Sequence, residues 1–273
     1  MFFKELYQYR YLLREIVAKN IKIQYRNSVL GMFWTLLQPF LTTLVLVFIF
    51  GNLFGPKSDP ENKIVNYPIF LLCGRLLYEF YSQATKRSMR SVTLSASVIK
   101  KVKVPKYIYP ISNTISTFIT FLISLVVLVG FTLFYMLSPS ERNPAPVINA
   151  HILLMPIPLL VLFLLCTGVG LILATLSVFF KDIEYLYDVF TLLLFYATPI
   201  IYTPGQLKVD KAMQMMLMGN PLYSIVEMFR DCVLRGVMLN PKHLLYSLGF
   251  SLATVVIGAL AFWRKQDKFI HHI

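Results

Sequence analysis

Charged side chains are scarce in this sequence, since only 14% of its 273 residues are Asp, Glu, Lys or Arg. A soluble domain has about a quarter of its residues charged. Hydrophobic residues make up 57% of the chain and form long runs rather than amphipathic stripes, and the mean hydropathy is +0.65. These values exclude an ordinary soluble globular protein. They predict an all-α integral membrane protein whose main solvent is lipid.

Cysteine and catalytic motifs are also lacking. The three cysteines, Cys73, Cys166 and Cys232, are too few and too scattered to predict a disulfide framework. The sequence contains no G-x-x-x-x-G-K-[ST] phosphate-binding loop, no H-E-x-x-H, no G-x-S-x-G and no paired-cysteine metal spacing. We therefore predict that the chain is not an enzyme. We also expect no catalytic residue, no metal and no cofactor of its own.

Six apolar stretches are long enough to cross about 30 Å of hydrocarbon. They lie at about 31–54, 66–85, 107–137, 152–180, 185–203 and 244–263. With this topology, seventeen of the 26 Lys and Arg residues lie on the side of the N-terminus and eight on the opposite side. The positive-inside rule then places both termini in the cytoplasm. The positive-inside topology and contact with anionic lipid headgroups explain the net charge of +13, so we expect no nucleic-acid partner.

The first 30 residues are predicted to form an amphipathic helix ahead of a membrane domain over residues 31–273. They have no continuous apolar core, so we expect no cleavable signal peptide. The apolar side chains share one arc of a helical wheel, whereas Lys4, Gln8, Arg14 and Glu15 face the other way. The apolar arc consists of Leu6, Tyr9, Leu12, Leu13, Ile16 and Val17. This pattern is typical of a helix lying flat on the inner leaflet, and the alternative is a soluble helix that packs on a partner.

The most basic segment is 86–106, where Pro105 is expected to end a short helix and start the third span. Its basic residues have two interpretations. They either simply hold the loop in the cytoplasm, or they belong to a cytoplasmic helix that docks on another protein and transmits its movement.

The outer segment 204–243 is too long for a simple turn. Gly219-Asn220-Pro221 supplies a helix stop, an N-cap and a proline at the first helical position, and Gly236 supplies an end. The spacing allows two ion pairs, Glu227–Arg230 and Asp231–Arg235. We predict two short outer helices before the last span, re-entrant or lying on the surface, that form a cap or gate.

Arg75 and Glu79 are charged residues within the predicted second span, four residues apart on one face. They are either a self-neutralised structural pair or part of a pathway for an anionic substrate. Aromatic residues in the first and fifth spans have a similar ambiguity. Most such residues meet lipid, but a row along a pathway can stack on sugar rings.

Several motifs together suggest a family. They are Gln24-Tyr25-Arg26-Asn27-Ser28-Val29-Leu30-Gly31-Met32-Phe33-Trp34, Gln38-Pro39, Phe50-Gly51-Asn52-Leu53-Phe54, Val102-Lys103-Val104-Pro105-Lys106, Phe179-Phe180-Lys181-Asp182-Ile183, Thr198-Pro199-Ile200-Ile201-Tyr202 and Asn220-Pro221-Leu222-Tyr223. Their order from about residue 10 to the end resembles the permease subunits of ABC transporters that export surface polysaccharides.

The resemblance implies a homodimer in the bacterial inner membrane with two cytoplasmic ATPase subunits that bind ATP and Mg. It also implies that the cargo is a polyprenyl-pyrophosphate-linked glycan of the O-antigen, teichoic acid or capsule type, flipped from the inner to the outer face. The nearest alternative with the same fold is an exporter of a drug or small lipid. A secondary transporter would need inverted repeats, and a glycosyltransferase would have only Asp182 and Glu184 as acidic candidates.

The resemblance also implies roles for particular residues. The substrate headgroup would meet the N-terminal gate helix at Arg10, Arg14, Lys19, Lys22, Tyr25 and Arg26. The pathway would be lined by Phe33, Trp34, Phe40, Phe195 and Tyr196. The ATPase would contact the coupling residues Ser97, Val98, Ile99, Lys100, Lys101 and Asp182.

Overall fold

The computed structural model describes residues 8–26, 28–54, 66–101, 104–140, 143–204, 217 and 219–271. Over these ranges the chain forms helices and no strand, as the composition predicts. The helices are α1 Arg10–Tyr25, α2 Trp34–Phe54, α3 Tyr67–Leu94, α4 Ala96–Ile99, α5 Ile108–Leu137, α6 Pro156–Phe179, α7 Ile183–Ala197, α8 Pro221–Arg230 and α9 Pro241–Lys265. Shorter helical turns at Gly31–Phe33, Ala150–Leu154, Asp231–Arg235 and Gln266–His271 extend α2, α6, α8 and α9.

Four helical segments among the described residues are long and apolar enough to cross a membrane: Gly31–Phe54, Ile108–Leu137, Ala150–Phe179 and Pro241–Phe269. They match the first, third, fourth and sixth predicted spans. The second and fifth predicted spans differ from the helices found there. α3 continues past residue 85 to Leu94 and is amphipathic, and α7 has 15 residues and is only about 22 Å long.

The helix boundaries follow from local sequence. Asn220 and Asn240 each precede a proline, and their side chains accept a hydrogen bond from the backbone N–H two residues later, at 3.0 Å. The predicted start of α8 is therefore confirmed. α7 stops at Ala197 because Pro199 disfavours helical geometry at Thr198, whose φ and ψ are −98° and 124°.

The helices pack around α3, which contacts α5 and α6, while α9 lies along α6. The first half of α3 is almost completely buried. The α6–α9 contact is close enough to need glycine on both sides. A Cβ at Gly168 would lie 2.5 Å from the Val255 nitrogen, and one at Gly258 would lie 2.6 Å from the Gly168 carbonyl oxygen. Small residues let membrane helices approach to backbone contact in this way.

We call the two ends of the bundle the basic end and the α8 end. The basic end holds α1, α4, the end of α3 and the start of α7, and the α8 end holds α8 and the residues just after α7. There Tyr9 and the apolar face of α1 (Leu12, Leu13 and Ile16) pack on a cluster that includes Ile99 and Ile108. Within the predicted segment the structure therefore has a helix at Arg10–Tyr25, and its apolar face contacts the chain's own helices. Lys4 and Leu6 lie outside the described residues.

Candidate functional site

A polar cleft opens between α2, α3 and α5, beside the end of α1. Its cavity volume is about 80 Å³. Amide, hydroxyl and carboxylate side chains dominate its lining, with Trp34 and Phe80 among the few aromatics. The polar lining residues are Gln24, Tyr25, Thr35, Gln38, Glu79, Gln83, Thr117, Thr120 and Ser124. We call this space the polar cleft. Its composition is unusual for a gap between membrane helices, because unpaired polar groups are unfavourable in lipid.

Glu79 is the charged centre of the polar cleft. Its carboxylate accepts hydrogen bonds from Gln38 at 3.4 Å and Gln83 at 3.1 Å, and it lies 4.0 Å from the Arg75 guanidinium. The predicted Arg75–Glu79 pair is therefore present. The pair is not self-contained, since amides from α2 and α3 complete the surroundings of the carboxylate.

The pair also lines a second groove, between α2, α3 and α7, of about 600 Å³. Tyr78, Ser82 and Phe195 line the same groove. Glu79 thus lies where the two spaces meet, Arg75 lies on the side of the second groove, and each side chain keeps part of its surface accessible. This position is compatible with the pathway interpretation and places the pair beside α7.

The predicted headgroup residues divide into two groups. Tyr25 lies at the polar cleft, where its hydroxyl is 2.7 Å from the Thr35 hydroxyl and receives a hydrogen bond from Gln24 at 2.9 Å. The five cations are exposed, four of them on α1 and one directly after it. They are Arg10, Arg14, Lys19, Lys22 and Arg26. The structure therefore brings one of the six residues into the polar cleft and leaves the others along the surface that leads to it.

The predicted pathway aromatics do not form one row within the chain. Phe33 and Phe40 line an apolar groove of about 630 Å³ between α2 and α5, whereas Trp34 lines the polar cleft. Phe195 packs edge-on against Tyr78 with ring centroids 5.0 Å apart, and Tyr196 is 62% exposed. Sequence spacing did not assign these aromatic residues to different grooves, because neighbouring positions at α2 line different grooves in the structure.

The predicted coupling residues surround α4, which follows α3 after a single residue, Ser95. Ser97, Val98, Lys100 and Lys101 are exposed, whereas Ile99 is buried and anchors the turn. The second predicted contact, Asp182, is exposed at the start of α7. The basic end therefore presents an accessible surface at α4, as a docking loop requires.

A buried arginine at the α8 end was missed in the sequence. Arg230 has no exposed surface, and its guanidinium donates to the carbonyl oxygens of Phe70, Pro199 and Ile200 and to Glu227. It also stacks on the Phe70 ring, with its Cζ atom 3.5 Å from the ring centroid. Arg230 thereby satisfies carbonyl groups that become free where α7 ends.

The two predicted ion pairs in this region are confirmed. Glu227 lies 3.0 Å from Arg230, and Asp231 lies 2.6 Å from Arg235. Burial raises the pKa of the Glu227 carboxyl, but the attraction of Arg235 and Arg230 outweighs burial and lowers that pKa below its usual value. The sequence does contain a signal for the burial of Arg230. Arg230 lies four residues after Val226 and four before Leu234, so it shares a helix face with two apolar residues.

Comparison with known proteins identifies the family. The model of the family described as "ABC-2 type transporter" matches residues 11–234 of the chain. The chain belongs to the ABC-2 type transporter family. Among the described residues of this family member, no three His, Cys, Asp or Glu side chains are grouped so that they could hold a metal ion.

Individual members of the ABC-2 type transporter family are similar over nearly the whole chain. An O-antigen export system permease protein RfbA of Klebsiella pneumoniae is 28% identical over 262 residues, covering 94% of this chain and 93% of the relative. The protein of the same name in Myxococcus xanthus is 25% identical over 270 residues, covering 99% and 98%. The polysialic acid transport protein KpsM of Escherichia coli is 23% identical over 253 residues, covering 93% and 92%. The predicted resemblance to polysaccharide-export permeases is confirmed.

Proposed function

We propose that the chain is the permease of an ATP-driven exporter that moves a lipid-linked surface polysaccharide from the cytoplasmic to the outer face of the bacterial inner membrane. In this proposal the chain acts as a homodimer with two ATPase subunits, which bind ATP and Mg. α3 and α7 complete six membrane spans, and both termini are cytoplasmic. The O-antigen and polysialic acid relatives support a polysaccharide cargo.

The polar cleft carries this proposal. Sugar hydroxyls are recognised by amide, hydroxyl and carboxylate groups, and the polar cleft offers Gln38, Glu79 and Gln83 together. A site for a small drug is instead mainly apolar and aromatic. The polar cleft begins beside Tyr25, at the end of the proposed gate helix α1, where a cytoplasmic substrate would arrive.

The neighbouring apolar groove supports a lipid-linked substrate in particular. It lies between the same two helices, α2 and α5, further along α5, and its lining includes Phe40, Leu44 and Phe131. A sugar unit at the polar cleft and the polyprenyl chain in the apolar groove would each meet matching side chains. An amphiphilic cargo therefore fits this pair of spaces better than a purely polar one.

ATP hydrolysis by the reconstituted complex tests the proposed function. The chain and its ATPase partner are placed in proteoliposomes, and hydrolysis is measured with a polyprenyl-pyrophosphate glycan or with a panel of small drugs. The proposal requires stimulation by the glycan and none by the drugs. Stimulation by drugs but not by the glycan would support the alternative exporter and overturn the proposal.

Glu79→Gln is expected to reduce glycan-stimulated ATP hydrolysis about tenfold, because the change removes the charged acceptor of the polar cleft and leaves Arg75 without its counter-charge. Asp267→Asn is the matched control, since Asp267 is an exposed carboxylate beyond α9. Unchanged stimulation in the Glu79 variant, with both proteins inserted equally, would remove Glu79 from the proposed site.

Charge reversal at Lys100 and Lys101 is expected to uncouple ATP hydrolysis from export while leaving membrane insertion intact. Both side chains are exposed beside α4, so the change acts on docking rather than on packing. The measurements are pull-down of the ATPase and glycan export, with Lys268→Glu as an exposed control at the same end. Normal export by the double variant would show that α4 has no coupling role.

A further inference from the structure

Three basic residues in the last turns of α3 bind three different partners within the chain. Lys86 lies 2.8 Å from Asp188 of α7, and the Arg90 Nε lies 2.9 Å from Glu184, also of α7. Arg87 points away from α7 and donates to the Gln24 side chain at the end of α1, at 2.7 Å. These three cations therefore each have a partner within the chain, although the ion pairs are partly exposed.

The two ion pairs belong to a regular antiparallel contact between α3 and α7. Next to them, the Tyr187 hydroxyl donates to the Thr85 hydroxyl at 2.7 Å in a buried position. Further along, the Tyr78 hydroxyl donates to the Thr191 carbonyl oxygen at 2.6 Å. From Arg90–Glu184 to Lys86–Asp188 the partners advance by four residues, about one turn, on each helix. The ring contact between Tyr78 and Phe195 continues the same antiparallel alignment, so α3 and α7 are held in one register from the basic end to Phe195.

Arg87 extends the connection to the proposed substrate entrance. Its hydrogen bond fixes Gln24, Gln24 donates to the Tyr25 hydroxyl, and Tyr25 contacts Thr35 at the start of α2. The last turns of α3 are thus joined on one side to α7 and on the other to the end of α1. Directly after them comes α4, the proposed contact with the ATPase.

We propose that the segment Lys86–Arg90 transmits displacement of α4 to α7 and to the end of α1, with Lys86 and Arg90 as positioning residues for α7. This inference rests on the proposed export function and adds a route from the ATPase contact to the groove lined by Arg75 and Phe195. The ion pairs are partly exposed, so their contribution to stability is small. Their role is to fix the register between two helices that must move together.

Charge-swap variants test this assignment. Lys86→Glu and Asp188→Lys each place two like charges at the α3–α7 contact. The double variant restores a pair of opposite charges in reversed order. We expect each single variant to lower the glycan moved per ATP hydrolysed at least about fivefold, at the lower end of typical coupling between sites. The double variant is expected to return this ratio to within about twofold of the unmodified complex. Arg90→Glu and Glu184→Arg provide a second, independent swap.

The readout separates transmission from a merely structural role. Thermal unfolding and ATPase pull-down are measured on the same samples, and Lys86→Met replaces Lys86→Glu if the reversal lowers the yield of folded protein. A normal ratio of export to hydrolysis in the single variants, or no recovery in either double variant, overturns the assignment. Failure of the unmodified complex to move any glycan would instead overturn the proposed function, and the two failures are therefore distinguishable.

Discussion

Replacement of Arg230 by methionine is expected to lower the free energy of unfolding by about 3 to 5 kcal/mol, the usual range for removing one partner of a buried ion pair. Methionine fills a similar volume, but it leaves the Pro199 and Ile200 carbonyl oxygens without their donor. It also leaves Glu227 in a buried position with Arg235 as its remaining cation. The measurement is equilibrium unfolding in mixed micelles.

The control for this variant is Arg264→Met, because Arg264 is exposed near the end of α9. Its unfolding free energy is expected to stay within about 0.5 kcal/mol of the unmodified chain. Adding Glu227→Gln to Arg230→Met should recover part of the loss, since the uncompensated carboxylate is then neutral. An Arg230→Met protein as stable as the Arg264 control would contradict the described packing of the α8 end.

Gly168→Ala is expected to destabilise the chain by about 2 to 3 kcal/mol, at the upper end of the usual effect of overpacking. The added Cβ would lie 2.5 Å from the Val255 nitrogen and 2.6 Å from the Thr254 carbonyl carbon. Both atoms belong to the α9 backbone, which cannot turn aside as a flexible side chain does. The two helices must therefore separate. The measurement is again unfolding in mixed micelles.

Gly249→Ala is the matched control on α9, where an added Cβ meets nothing within 4 Å. There alanine is expected to be neutral or to stabilise by up to about 1 kcal/mol, because it is a better helix former than glycine. Opposite signs for the two Gly→Ala changes would establish the close α6–α9 contact. Equal effects would contradict it.

Much of the fold was predictable because membrane helices carry a strong signal in composition. The four most apolar spans were located within a few residues, and the Asn-Pro start of α8 was predicted at the correct position. The boundaries of α3 and α7 were not. From its sequence, the end of α3 resembles a polar loop because it is rich in cations. In the structure these cations bind partners on α7 and α1, and the sequence alone does not show those contacts.

The candidate site was predictable only where its interacting residues lie close together in the sequence. The pairs Arg75–Glu79 and Glu227–Arg230 follow from spacing along one helix. The approach of Gln38 to Glu79, and of Arg230 to the end of α7, depends on how separate helices pack. Charge alone does not indicate that Arg230 is buried, because its burial depends on carbonyl groups of Phe70 on α3 and of Pro199 and Ile200 just after the end of α7.

Movement of the glycan across a bilayer is the most direct test of the proposed function. Proteoliposomes that contain the chain and its ATPase are loaded with a fluorescent polyprenyl-pyrophosphate glycan. Exposure of the glycan on the face opposite the ATPase is then followed with an impermeant glycosidase. ATP is expected to make the glycan accessible only when both subunits are present and the ATPase is active. Steady ATP hydrolysis with the glycan still inaccessible would contradict an export permease.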